Sequence, residues 1–261
     1  MNKEIGLALS GGAARCIAHL GVIQALEEIG IKPAAISGVS GGAIVGAFYA
    51  NGYSPLQILE IIKKTSILKA LSPAFDTGIL KMDKAEKVYA EYFKTKEIEN
   101  LKIPLTVSAC DLNKGIIVSI SSGDLIKAVI ASSSVPMIFK PVEFEGMKLI
   151  DGGIINNMPV DPLKNYSIII GVNVNVINPE LKIDSFYSNM QRNIDIIVTT
   201  NIKESITMCN LFIEPPEMKN IRLTDINKAD EIYTIGYKYT KKNYTKIQEI
   251  LEAISLKTKK I

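Results

Sequence analysis

With 261 residues, nearly half of them hydrophobic, the chain can bury a sizeable core without disulfides or metal, as one large α/β domain or two small ones. A net charge of +3 leaves no nucleic-acid footprint, and Cys16, Cys110 and Cys209 lack any C-x-x-C spacing, which argues against a disulfide framework or zinc site and for a reducing compartment. The N-terminus carries no basic stretch followed by an apolar one, and the most apolar run, Ala34 to Ala50, is interrupted by glycines and serines, so a cytoplasmic protein without a secretory signal or membrane span is expected.

"EIGLAL" (Glu4 to Leu9) reads as a short apolar strand running into "SGGAA". "RCIAHLGVIQALEEIG" then has helical periodicity, with Ile17, Leu20, Val22, Ile23, Leu26 and Ile29 on its apolar face and Gly30 as its stop. "AAISGV" is a second strand, and residues Gly42 to Asn51 form a small-residue helix. Two strand–glycine turn–helix units in succession predict a mainly parallel sheet with helices on its faces. From Ser54 to Asn100 the pattern is helical and charged, broken around "LSPAFDTG", as a flank or cover of a site. "IPLTVSACDL" and "GIIVSI" predict strands joined by a turn at Asn113–Gly115, "GDLIKAVIASSS" a helix, "MKLIDGG" a strand ending in a tight turn, and "YSIIIGVNV" a buried strand. A long helix from about Ser185 to Met208, a strand "LFIEP" and a final helix from Asn227 onward complete the chain. With no linker, repeat or low-complexity tract, one domain is expected over 1–261, its core at about 5–165 and the remainder completing it. The lysines at 238, 241, 242, 246, 257, 259 and 260 read as a solvated face and tail, with weak attraction to an anionic membrane surface as the alternative.

Three turns carry chemistry. "LSGGAARC" lacks both the dinucleotide fingerprint and the G-K-[ST] of a phosphate loop; what is left is an anion site of outward N–H groups, suited to the oxyanion of acyl transfer. Gly38-Val39-Ser40-Gly41-Gly42 has the spacing of a nucleophile elbow between a strand and a helix, and the Gly41 N–H is placed to join the same donors. A serine needs a base. The single histidine, His19, lies upstream in the first helix, where backbone bonding or core packing accounts for it, so the usual Ser-Asp-His order is missing. Asp151, at a strand end before two glycines, is the better base, although an aspartate that merely stabilises its own turn is common.

"SGGAARCIAHLGVIQALEE", "GVSGGAIVGA", "ASSSVPMIFKPV" and "DGGIINNMP" resemble, in order, the four signature blocks of bacterial patatin-like phospholipases, and "IEP" and "ADEIYTIGY" extend the resemblance over roughly residues 5 to 240. The resemblance implies a three-layer sandwich and a serine lipid acyl hydrolase with a Ser–Asp dyad. Ser40 would be the nucleophile, Asp151 the base, Gly11, Gly12 and Ala13 the oxyanion loop, and Arg15 the basic residue closing it. It further implies a lipid or acyl-ester substrate, transient membrane contact, and no metal or cofactor. One departure stands out: Cys16 occupies a position that is usually glycine in the family. A catalytically weak lipid-binding or regulatory protein is the competing expectation.

Overall fold

The computed structural model describes residues 4–65 and 83–258. Its centre is a parallel sheet of β1 (Ile5–Leu9), β2 (Ala35–Val39), β3 (Leu105–Asp111), β7 (Ile168–Val172) and β8 (Leu211–Ile213), ordered β3-β2-β1-β7-β8. Three antiparallel strands, β4 (Ile116–Ile120), β5 (Val142–Phe144) and β6 (Met147–Asp151), extend it beyond β3. β5 is not marked in the sequence reading. It is a three-residue strand made by the Glu145–Gly146 turn, both residues of which have positive φ (48° and 78°).

Alternation along the strands divides the side chains between two faces. Leu7, Leu9, Ile36, Ile168, Ile170 and Val172 enter a large core beneath α1 (Ile17–Glu28), α2 (Gly41–Ala50) and α3 (Pro55–Lys64). Each of these aliphatic side chains contributes about 1.5–3 kcal/mol by leaving water. The intervening Ala8, Ala35 and Ile169 face a thinner layer with Met158, Val160, Leu163 and Ile202. β1 must be small where it meets Leu163: a Cβ on Gly6 would stand 3.1 Å from that side chain.

Four further helices follow: α4 (Asp83–Tyr92), α5 (Leu125–Ser132), α6 (Phe186–Thr200) and α7 (Lys203–Met208). The break expected around "LSPAFDTG" falls outside the described residues. The long helix expected from Ser185 to Met208 is two helices, because Asn201 ends α6 and spends its side chain on the backbone of Gly153 and Asn157. The last helix is likewise split at Asn243 into α8 (Ala229–Lys242) and α9 (Tyr244–Thr258). α8 crosses α1 backbone to backbone: a Cβ at Gly21 would collide with the Tyr233 carbonyl, and one at Gly236 with that of Ala18. Among the described residues no helix is long and apolar enough to cross a membrane.

The register of β3 brings distant segments together. Val107 pairs with Gly38 of β2 and Ile120 of β4, whereas Ala109 pairs with Asp151 of β6 and Val118 of β4. A strand has two edges, so β2 and β6 share the edge opposite β4 and meet end to end. Val39 lies across from Ser108 and Asp151 across from the next residue, Ala109. Position 40 therefore confronts position 151, over a hundred residues away, by strand pairing alone.

Candidate active site

Ser40 follows β2 directly, at φ 52° and ψ −128°, a conformation that costs an L-residue about 1–3 kcal/mol and persists only when its surroundings enforce it. They do. Its N–H donates to Ser132 Oγ at 2.8 Å, and the Ser132 hydroxyl donates to the Ser108 carbonyl at 2.7 Å, clamping the elbow between α5 and β3. α2 folds back so closely on β1 that a Cβ at Gly42 would collide with the Leu9 and Ser10 carbonyls, and one at Gly38 would stand 2.8 Å from Ala43 N. Ser40 is the N-cap of α2, yet its side chain makes no capping bond. The hydroxyl is left for other partners.

One of those partners is Asp151. Its carboxyl, 6% exposed, accepts from the Gly153 N–H at 2.8 Å and borders the same cavity as Ser40, whose hydroxyl is near enough to favour its charged form. Burial pushes its pKa up to about 6, and the Ser40 hydroxyl and the Gly153 N–H oppose the rise without cancelling it.

The first glycine turn closes the site. The Gly11 N–H is already donated to the Asn157 carbonyl at 3.2 Å, and that of Ala14 to Leu223 at 3.1 Å. Between them Gly12 and Ala13, at φ 152° and 47°, border the same cavity as Ser40 and Asp151. Ala13 opens a short 3-10 turn (Ala13–Cys16) and Gly41 opens α2, so neither N–H has an acceptor within its own helix. The cavity holds about 130 Å³, and its far wall is apolar: Val135 and Ile138 after α5, and Met190, Ile194 and Val198 of α6.

The model of patatin-like phospholipases matches residues 7–164, more than half of the chain. The chain belongs to this family. An uncharacterized NTE family protein of Mycobacterium tuberculosis is 36% identical over 179 residues, 67% of this chain and 50% of that protein. Lysophospholipase NTE1 of Candida albicans is 26% identical over 273 residues, 91% of this chain and 20% of its own length. The chain thus spans half or less of these curated relatives. VipD from Legionella pneumophila shares the fold, with a TM-score of 0.58 and 14% identity over 96% of this chain and 67% of that one.

Within this patatin-like site, Arg15 does not line the cavity. Its guanidinium is buried and bonds the Ile221 carbonyl, Asn175 and Asp195. His19 does not line the cavity either: its Nε2–H donates to the Ser10 carbonyl at 2.8 Å, and burial holds its pKa down at about 4, so the ring is neutral. Cys16 fits without displacing the elbow, because residue 41 is glycine: a Cβ there would stand 2.6 Å from the sulfur. The thiol donates to Ser10 O at 3.4 Å, and burial pushes its pKa well above the usual thiol range, so it is no nucleophile. All three cysteines are free, and no cluster of metal-ligating side chains occurs among the described residues.

Four supporting residues escaped the sequence reading: Ser132, Asn157, Asn175 and Asp195. Only Asp195 left a trace in the sequence, as a charge within the apolar run "NIDIIV" of a helix that must bury one face. The polar triplet "SSS" hid Ser132 among its neighbours.

Proposed function

We propose that the chain is a lipid acyl hydrolase in which Ser40 is the nucleophile and Asp151 its base. The observation that carries this reading is that Ser40 and the buried carboxyl of Asp151 line one apolar cavity together with Gly12 and Ala13. As Ser40 Oγ attacks the ester carbonyl, its proton passes to Asp151. The carbonyl π pair moves to oxygen, which the N–H groups of Gly12, Ala13 and Gly41 and the N-terminal end of α2 stabilise. Collapse of the adduct returns the proton to the leaving alcohol and leaves an acyl-enzyme, and water repeats the sequence to release the acid. A carboxyl with a pKa of about 6 is ionised at neutral pH yet is a stronger base than an ordinary aspartate, which suits this role.

No cofactor or metal enters this scheme. The family and the lysophospholipase name of its fungal relatives support a phospholipid or lysophospholipid ester as substrate. Contact with a lipid surface fits the cavity's surroundings: Met137, 92% exposed, lies beside cavity-lining Pro136 and Ile138, while Ile154 and Ile197 line the cavity and are themselves exposed. A fluorophosphonate probe tests the chemistry: it labels the native protein and fails on Ser40→Ala. Labelling that persists in Ser40→Ala places the nucleophile elsewhere, whereas none in the native protein favours binding without this turnover. Fatty-acid release from defined phospholipids and lysophospholipids then assigns the head group.

A further inference from the structure

The scheme above leaves unexplained why a full ion pair is buried behind the oxyanion loop. Resting on that scheme, we propose that Asp195 is a positioning residue: acting through Arg15, it holds the oxyanion loop in register with Ser40.

The links are continuous. Asp195 Oδ1 accepts from Arg15 Nη1 at 2.6 Å, and Oδ2 accepts from Nη2 at 3.5 Å. The same Nη1 donates to Asn175 Oδ1 at 3.2 Å, and Asn175 Nδ2 donates to the Gly11 carbonyl at 2.7 Å. That carbonyl immediately precedes the Gly12 and Ala13 N–H groups. Gly12 and Ala13 both have positive φ, and alanine holds such a conformation only when neighbours over-determine it. The Arg15 side chain is 2% exposed and that of Asp195 5%, so water is a poor substitute for either partner.

Asp195 also belongs to the helix that walls the cavity. Gln191, Ile194 and Val198, within one turn of it, line the cavity. At the end of that helix, Asn201 donates to the Gly153 carbonyl at 2.8 Å and accepts the Asn157 N–H at 3.1 Å. α6 is therefore tied to the oxyanion loop through Asp195 and to the turn of Asp151 through Asn201. One rigid element fixes the distance between the groups that must act together.

The isosteric Asp195→Asn tests this on a soluble p-nitrophenyl ester, with rates counted per active site by exhaustive fluorophosphonate titration. The expected result is a fall in kcat of about ten- to a hundredfold, the cost of misplacing a reacting group by about an ångström, with KM changed little. A trifluoromethyl ketone forms a bond from Ser40 Oγ to its carbonyl carbon, its π pair becoming an oxyanion and the serine proton passing to Asp151. Its affinity falls in parallel with kcat, while that of the matching secondary alcohol, which has no carbonyl to attack, is kept. Arg15→Met combined with Asp195→Leu removes both charges, so it avoids an unpaired buried ion; it is expected to fold and to show the same split. Activity within twofold of native in either folded variant overturns the proposal. Equal weakening of ketone and alcohol also overturns it, because Asp195 would then merely shape the cavity wall. A double variant that cannot fold assigns the pair to the fold and overturns it too. Full activity in Ser40→Ala would instead sink the underlying catalytic reading.

Discussion

Asp151 and Asp195 are both buried, at 6% and 3% exposure, and they differ in what stands opposite each carboxyl. Asp195 faces a guanidinium in a two-contact ion pair, so its charge is matched. Asp151 faces a hydroxyl and one backbone N–H. With no cation among these partners, burial dominates and its pKa rises to about 6. A matched carboxylate holds parts in place, whereas an under-compensated one is poised to accept a proton. In the proposed scheme, two aspartates in opposite electrostatic settings separate positioning from chemistry.

The comparison breaks most sharply at the reacting atoms. Ser40→Ala and Asp151→Asn are each expected to lower turnover of a soluble ester by roughly a thousandfold or more, with the fold intact by circular dichroism. Residual activity near native in either variant places the chemistry elsewhere. His19→Gln provides the contrast: turnover per folded molecule stays within about threefold of native, because loss of a surrounding group costs far less than loss of a reacting one.

A smaller effect sharpens the difference through pH. In the native protein, kcat/KM is expected to fall tenfold per pH unit below about 6, as Asp151 takes up its proton. An acid limb near the ordinary aspartate value would contradict the burial argument.

The same shift has a stability consequence of opposite sense. The folded pKa of Asp151 lies above its ordinary value of 3.8, so ionisation opposes folding: its contribution is most favourable below about 4 and is lost as pH rises through about 6. Asp151→Asn is therefore expected to be more stable than native by roughly 2–3 kcal/mol at pH 7, with the gain vanishing below pH ~4. Urea unfolding at both pH values measures it. His19 behaves inversely. Its folded pKa is lowered to about 4, so its contribution is present above its ordinary 6.5 and lost as pH falls through 4.

The smallest expected effect is at Cys16. Cys16→Gly removes a buried sulfur packed on Gly41 and adds backbone freedom near a helix start, a cost of about 1–2 kcal/mol in unfolding. The fluorophosphonate labelling rate of the folded protein is expected to change less than about twofold, because Ser40 still has the hydrogen bond from its N–H to Ser132. A large loss of labelling would give the thiol a direct part in the site.

Much of this was legible along the chain because the determining features are local. Glycines at 38, 41 and 42 mark an elbow since only residues without a Cβ allow α2 to approach β1 and Cys16 so closely. The apolar runs of β1, β2 and β7 mark a buried parallel sheet because both of its faces are covered. Helix boundaries late in the chain were less legible. The 3.6-residue pattern continues through Asn201 and Asn243, and what ends α6 is a pair of bonds to backbone more than forty residues away.

The sequence by itself determined which residue types stand at each turn: a serine between glycines, an aspartate at a strand end, a glycine-rich loop, and no second histidine to serve as base. Tertiary structure alone decided which of them meet. The edge that β2 and β6 share along β3 sets Asp151 against Ser40, and the Asn157 carbonyl takes the Gly11 N–H away from the cavity. The Arg15 charge is turned inward onto Asp195 of a helix 180 residues on. These are non-local pairings, and periodicity or spacing along a chain carries no record of which distant partner will satisfy a buried charge or an open strand edge.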